Sequence, residues 1–516
     1  MPNRSSDALF QLIKSLEKSE KRNFKLYITR NSSSLDLKSI QLFDALDKME
    51  EYDEAQLLNK NKNIRKAQLS NAKAHLYREI LSSLRLIRHD DNIDIQLHEQ
   101  LDYARILYNK GLYLQSLRTL DRIKESARMH HQETFLLEVL FFEKTIESLH
   151  ITRSMQDRAD QLAGELDDVN ERLRLISQLS NLALQLYSWY IRHGVARNEK
   201  DEAAVQEFFE KNMPADLSQC LGFHEKLYQY QSFVWYAFIR QDFLMYYRYT
   251  QKWVDLFEKE PFMLAVETSQ YIKGMHNLLG AHFDLLNEQK FRETLKQFEE
   301  FSNTDLVTNN VNNRIQTFIY LYISKLNQHF IDGTFTEGLS LVPYIEEKLA
   351  EYWIYLDRHR ILVFYYKIAC LYFGSGDYEK TIDYLNKIIN WKVDLRTDLQ
   401  CYSRLLHLIA HYELGNFDIL EYLTKSVYRF MAKMESLSLV EEEIFKFLRK
   451  AFLVSPDKLK PEFGKLLEKL KAYEKSRFET RAFMYLDVIS WLESKIAEVP
   501  VQDVIREKFL SGMRRG

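Results

Sequence analysis

The sequence predicts an all-α chain: a right-handed α-solenoid of helical hairpins closed by a helical cap at each end. Three observations lead there. Glycine and proline number only 14 and 7 in 516 residues, where average usage would supply about 36 and 26. Folds rich in β-turns or in nucleotide-binding loops need more such punctuation than this chain provides. The second observation is that the stretches between turns are long, amphipathic and aromatic, as helices that bury one face must be. The third is a recurring phrase in which an apolar helix, a small or polar turn and an aromatic two residues later lead into a second amphipathic helix.

The phrase is clearest in YYKIACLYFGSGDYEKTIDYLNKIIN, from Tyr365 to Asn390, where the turn centre is Gly376 and Tyr378 follows it. It recurs around Gly111 with Tyr113 and around Gly415 with Phe417, and in weaker form around Gln241, Gln289 and Gly333. Centres at 241, 289, 333, 376 and 415 give a period of about 43 residues. Between 111 and 241 there is room for two more turns, placed near Arg153 and Ser154 and at Gly194. A fixed period in this range marks an array whose hairpins bury their apolar faces only by stacking on one another.

Two different ends flank the array. Residues 1–90 carry 17 Lys and Arg against 12 Asp and Glu, and read as a mildly basic N-terminal helical domain with helices near 5–30, 36–58 and 64–89. Residues 91–436 hold about eight hairpins. Residues 437–516 form a C-terminal cap with helices near 437–454, 459–476 and 478–497, followed by a short tail, and the cap is expected to close the last apolar face of the array.

The Gly376 hairpin resembles a tetratricopeptide repeat. Tyr365 stands at the family's large aromatic position, Ile368 and Ala369 at its leucine and small pair, Tyr372 at its tyrosine, and Gly376, Asp377 and Tyr378 at its turn. Leu385 and Ile388 fill the packing positions of the second helix. The family's small residue early in that helix is replaced by Thr381 here, by Ser116 in the Gly111 hairpin and by Tyr246 in the Gln241 hairpin. The period also exceeds the family's usual 34 residues. The resemblance covers about two thirds of the chain, and it implies an architecture and a binding habit, not a reaction.

The chemistry-bearing patterns are sparse. Gly374 and Gly376 are the only closely spaced glycines that suggest a phosphate loop, and the hairpin turn already accounts for both. His407 and His411 have the spacing of a helical metal pair, but Leu408 stands where a metalloprotease signature requires Glu, and no third ligand follows at a familiar spacing. No GxSxG is present, and the acidic clusters at 50–54 and 441–443 read as solvated helix faces. Cys220, Cys370 and Cys401 are too far apart for a zinc site or a disulfide framework. The expectation is therefore no catalytic residue, no metal, no cofactor and no membrane span, in a reducing, cytoplasmic setting.

A binding function remains. In the tetratricopeptide pattern, fixed positions of each first helix face a concave groove. Carried onto this chain, they give the groove candidates Tyr228, Gln231, Trp235, His276, Tyr320, Asn327, Tyr366, Tyr402 and Tyr412. The primary expectation is a scaffold or adaptor that grips a protein or peptide segment on this aromatic surface. The alternative is a regulator whose basic N-terminal domain binds nucleic acid through Lys60, Lys62, Arg65, Lys66 and Lys73 while the repeats act as a sensor. In that reading, a helix near 39–58 and another near 67–88 form a loose helix-turn-helix.

Overall fold

The computed structural model describes residues 7–30, 34–60, 66–87, 92–150, 157–391, 397–433, 439–451, 456–473, 478–479 and 487–512. Among them every regular element is a helix. They form two compact units, 1–169 and 170–516, divided inside the long helix Arg158–His193. The boundaries expected near 90 and 436 thus fall within the first and second units.

In the first unit, the helices Ala8–Ser15, Lys18–Arg30, Ser34–Asp47 and Lys66–Ile87 share a core of Leu9, Ile13, Phe24, Phe43, Leu76 and Ile80. The single helix expected over 36–58 is interrupted. It stops at Asp47 and a new short helix, Glu54–Lys60, begins after Asp53, whose carboxylate accepts from the amides of Ala55 and Gln56 at 2.9 and 3.1 Å. A side chain that satisfies the free amides of a first turn starts a helix, so Asp53 resets the register. The single helix expected over 5–30 is also divided, into Ala8–Ser15 and Lys18–Arg30, while the helix Lys66–Ile87 falls within the span expected for it.

Beyond residue 92, helices follow one another through tight turns. Gly111, Gly194, Gly333, Gly376 and Gly415 all have φ between 68° and 86°, and Gln241 has φ 58°. These are six of the turn centres that the sequence marks. A left-handed residue just after a helix reverses the chain, and glycine adopts it without Cβ strain. Two turns differ from expectation. The reversal expected at Gln289 occurs at Leu286 (φ 50°), because Asn287 caps the next helix by accepting from the Lys290 amide. A further reversal at His131 (φ 53°) carried no glycine to announce it. Arg153 and Ser154 lie outside the described residues.

In the second unit the pairs Phe223–Ile239 with Phe243–Lys259, Thr268–Asp284 with Glu288–Ser302, Arg358–Ser375 with Tyr378–Ile389, and Thr397–Glu413 with Phe417–Lys433 are each packed side by side. First helices also pack on first helices: Thr268–Asp284 lies against Val311–Asp332, and Val311–Asp332 against Arg358–Ser375. Their shared face positions the site described below.

The C-terminal helices pack on earlier helices of the second unit. Val488–Ala497 sets Trp491 edge-on to Tyr412 and Phe463, and the indole Nε1 donates to Glu413 at 2.6 Å. The following helix, Val501–Leu510, was not anticipated. It returns to the middle of the unit and packs on Val311–Asp332 and Arg358–Ser375. Arg506 Nη1 donates to the Asp332 carbonyl at 3.0 Å, and Gln502 Oε1 accepts from the Thr336 hydroxyl at 2.8 Å. The periodic run Val501, Val504 and Ile505 supplies its buried stripe.

Candidate functional site

Four first helices and the end of Arg158–His193 contribute to one connected face of the second unit. Tyr187 and Trp235 have ring centroids 4.8 Å apart, and the Lys273 ammonium stands over both rings at 5.6 and 5.7 Å. Gln231 Nε2 donates to Gln270 Oε1 at 2.9 Å, which ties Phe223–Ile239 to Thr268–Asp284. His276, one helical turn beyond Lys273, stacks on Tyr320 with centroids 4.2 Å apart and planes 13° apart. Arg360 covers the same tyrosine ring at 5.9 Å. Lys367 donates to Asn327 Oδ1 at 2.6 Å and stands over Phe283 and Phe330 at 5.4 and 5.2 Å.

The side chains of this face are partly buried. Lys273, His276, Tyr320 and Lys367 each keep some solvent-accessible surface. Desolvation nonetheless dominates their titration. Burial, reinforced by the charges of Lys273, Arg360 and Lys367, pushes His276 down to about 3. Burial lowers Lys273, with Arg360 adding to the effect, and takes Lys367 down to about 8. Burial also raises Tyr320, and pushes the Cys370 thiol up to about 12. Ionisable groups held among protein atoms respond in this way. A thiol held so far from ionisation is a poor nucleophile, so Cys370 contributes no covalent chemistry.

The charge balance of the face is uneven. Lys273 has no ion pair among the described residues, and its only close partners are the two aromatic rings. Lys367 has an amide and two rings, with Asp284 acting only at a distance. Arg360 alone has a carboxylate, from Asp357 at 3.2 Å, which is itself more than half exposed. The imidazole Nδ1 of His276 is buried without a partner.

The sequence-derived candidates divide accordingly. Trp235, His276 and Tyr320 stand half-buried in the face, with Gln231 and Asn327 buried at its floor. Tyr366 is 3% exposed and belongs to the core. Tyr412 is 8% exposed, under Trp491 and Phe463 of the C-terminal helices. Tyr228 is half-buried beside His224 in another part of the unit, and Tyr402 is half-buried on Thr397–Glu413. Sequence reasoning missed Lys273, Arg360 and Lys367. The available signal was a single lysine in each of two otherwise aromatic and apolar runs, SQYIKGMHNLLGAHF and ILVFYYKIACLYF.

The basic candidates of the first unit fare differently. Lys62 and Arg65 lie outside the described residues, as does the Lys60 side chain. Lys66 is exposed. Lys73 forms an ion pair with Asp7, and its ammonium donates to the Tyr52 hydroxyl at 2.9 Å, so it holds two helices of the N-terminal core. A shallow basic depression on Lys18–Arg30 is lined by Lys18, Lys21, Arg22 and Lys25, of which Lys21 pairs with Asp47 and Lys25 with Asp44 at 2.6 Å each.

His407 and His411 meet edge to face with centroids 4.4 Å apart. Among the described residues no group of three or more His, Cys, Asp or Glu side chains is arranged to hold a metal ion, and no helix is long and apolar enough to cross a membrane. Comparison with protein-family models, with curated proteins and with solved structures finds no match to this chain.

Proposed function

We propose that the chain is a non-enzymatic binding protein, a tetratricopeptide-like α-solenoid whose first helices form the wall of a groove that grips a polypeptide segment. The observation that carries this reading is the recessed face itself. Aromatic rings and amide side chains from successive helices lie along one strip, from Tyr187 and Trp235 through Gln270 and Tyr320 to Asn327 and Phe330. Such a surface offers large rigid contacts at low entropy cost, together with amides that pair with a peptide backbone. The helix-after-helix order of packing, with its left-handed turns, supports the repeat architecture.

A photo-crosslinking amino acid placed at Trp235 or Tyr320 tests this reading against the same residue placed at Tyr422, which is 74% exposed on another helix. Discrete protein adducts from the first two positions and none from the third support the groove. Equal labelling from all three defeats it.

The nucleic-acid reading of the N-terminal domain rests on Lys60, Lys62, Arg65, Lys66 and Lys73, together with the basic depression on Lys18–Arg30. The pairing of Lys21, Lys25 and Lys73 with carboxylates weighs against it, since those cations already have partners. Binding of that kind weakens steeply between roughly 50 and 200 mM salt.

A further inference from the structure

We propose that the recess takes an acidic polypeptide segment, with its carboxylates against Lys273, Arg360 and Lys367 and its backbone and apolar side chains along Trp235, Tyr320 and Phe330. The proposal rests on the groove reading above and adds the chemistry of the occupant.

Three cations lie along this face, and among the described residues only Arg360 has a carboxylate within ion-pair distance, that of the largely exposed Asp357. Lys273 comes from Thr268–Asp284, Arg360 from the first turn of Arg358–Ser375 and Lys367 from its middle. Arg360 covers the Tyr320 ring on which His276 stacks, and Lys273 and the Phe283 ring under Lys367 lie on the same helix as His276. A surface lysine is ordinarily solvated or paired, and a recessed one ordinarily has a carboxylate. Here Lys273 and Lys367 rest on aromatic faces, an attraction worth roughly 0.5–2 kcal/mol that does not replace a counter-ion. A recess that concentrates positive charge behind low-dielectric walls raises the local concentration of anions and strengthens each ion pair formed inside it. The face is therefore complementary to a ligand that brings its own negative charge.

The neighbouring groups narrow the anion to one carried on a polypeptide. Gln270 is half-buried, and its Oε1 accepts from Gln231, which leaves its Nε2 to donate to a peptide carbonyl one turn from Lys273. Phe283, Phe330, Trp235 and Tyr187 offer rings to apolar side chains. Three cations placed at two ends and the middle of an aromatic strip suit carboxylates spaced along an extended chain, whereas a continuous polyphosphate requires an unbroken basic track.

The test is a phage-displayed random peptide library selected on the full-length protein and, in parallel, on K273Q and K367Q, whose folding is checked by thermal melting. Selection on the native protein should enrich Asp and Glu well above the input library. Representative peptides should bind at least tenfold more weakly when their acids are changed to amides, and K273Q and K367Q should lose that difference. Enrichment of neutral or basic peptides that W235A weakens would overturn the acidic occupant and leave the groove reading intact. Peptides indifferent to W235A, K273Q and K367Q alike would overturn both. A fluorescent oligothymidylate that binds the native protein more tightly than any selected peptide, and is released by K367Q, would replace the acidic peptide by a nucleic acid.

Discussion

Lys367 donates to Asn327 Oδ1 at 2.6 Å across two packed first helices, and this amide, not a carboxylate, is its only hydrogen-bond partner among the described residues. Phe283 and Phe330 flank the ammonium, and Asp284 and Cys370 act on it from a distance. Burial leaves it ionising at about 8 instead of 10.5.

That relationship has a consequence for stability. The unfolded chain keeps its lysine proton up to about pH 10.4, while the folded chain releases it from about 8 upward. Below pH 8 the fold carries the whole penalty of a recessed charge, and stability climbs as pH rises from about 8 toward 10.5. Lys367→Met removes the charge, keeps most of the volume, and leaves Asn327 without its donor. The expected net gain at pH 7 is about 1–2 kcal/mol, with the pH-dependent rise abolished. Urea unfolding at pH 7 and pH 9.5 measures both. A loss of stability at pH 7 would show that the cation holds the fold and is not kept for a ligand.

If an acidic segment binds beside Lys367, its carboxylate restores the ammonium's usual basicity. Near pH 8, where the free protein holds Lys367 partly deprotonated, binding should therefore take up protons. Isothermal titration of a selected acidic peptide in buffers of different ionisation enthalpy reads the proton count directly. Uptake should be about three quarters of a proton at pH 8.5 and should vanish at pH 6.5 and in K367Q. Proton release, or uptake that persists in K367Q, would place the carboxylate elsewhere.

Three histidines should make the second unit acid-sensitive. Burial, with the charges around each, holds His276 at about 3 and His282 and His407 at about 4, against an unfolded value near 6.5. The unfolded chain binds these protons first, so stability falls as pH drops from about 6.5 toward 4. Each histidine adds up to about 1.4 kcal/mol per pH unit over that window. His407→Leu and His276→Phe should each flatten the slope of unfolding free energy between pH 6.5 and 5, the latter retaining a ring against Tyr320. An unchanged slope in both variants would mean that other groups govern the acid response.

How much of this was legible in the sequence follows from what each residue had to do. The turns at Gly111, Gly194, Gly333, Gly376 and Gly415 were legible because a left-handed reversal selects glycine. Those at His131 and Leu286 were not, since other side chains tolerate the same φ when the flanking helices pack well enough. Asp53 splits a helix that composition alone reads as continuous. At the candidate site, positions transferred from the repeat pattern located Trp235, His276 and Tyr320. They passed over Lys273 and Lys367, which stand one helical turn before His276 and Cys370 and read as incidental charges. Tyr412 failed as a surface residue because what buries it, the turn-back of the C-terminal helices onto earlier ones, depends on contacts far apart in sequence.

The buried ion cluster of the first unit offers a test independent of the groove. Glu143 is fully buried, and its two oxygens each meet a cation at 2.5 Å, Lys124 and Arg158, while Glu165 also reaches both cations at 3.7 and 3.0 Å. Removing one charge from such a cluster leaves recessed cations short of a counter-ion, so Glu143→Gln should destabilise the first unit by about 3–5 kcal/mol. Hydrogen exchange should locate the loss in Tyr113–Met129 and Glu133–Leu149.

Gly333 and Gly376 separate two reasons for a glycine in a turn. Both have positive φ, at 68° and 86°. Around Gly376 an added Cβ meets nothing within 4 Å, so Gly376→Ala should cost only the strain of a left-handed alanine, about 1–2 kcal/mol. A Cβ at Gly333 would lie 2.5 Å from the Arg506 backbone nitrogen, and backbone cannot swing aside as a side chain does. Gly333→Ala must therefore push the helix Val501–Leu510 away, with loss of the Arg506 and Gln502 bonds to Asp332 and Thr336. The expected destabilisation exceeds that of Gly376→Ala by at least about 2 kcal/mol, roughly two hydrogen bonds at about 1 kcal/mol each. Limited proteolysis should then release the C-terminal helix from Gly333→Ala and not from Gly376→Ala. Equal melting temperatures and equal protease resistance would show that the C-terminal helix yields its position without consequence.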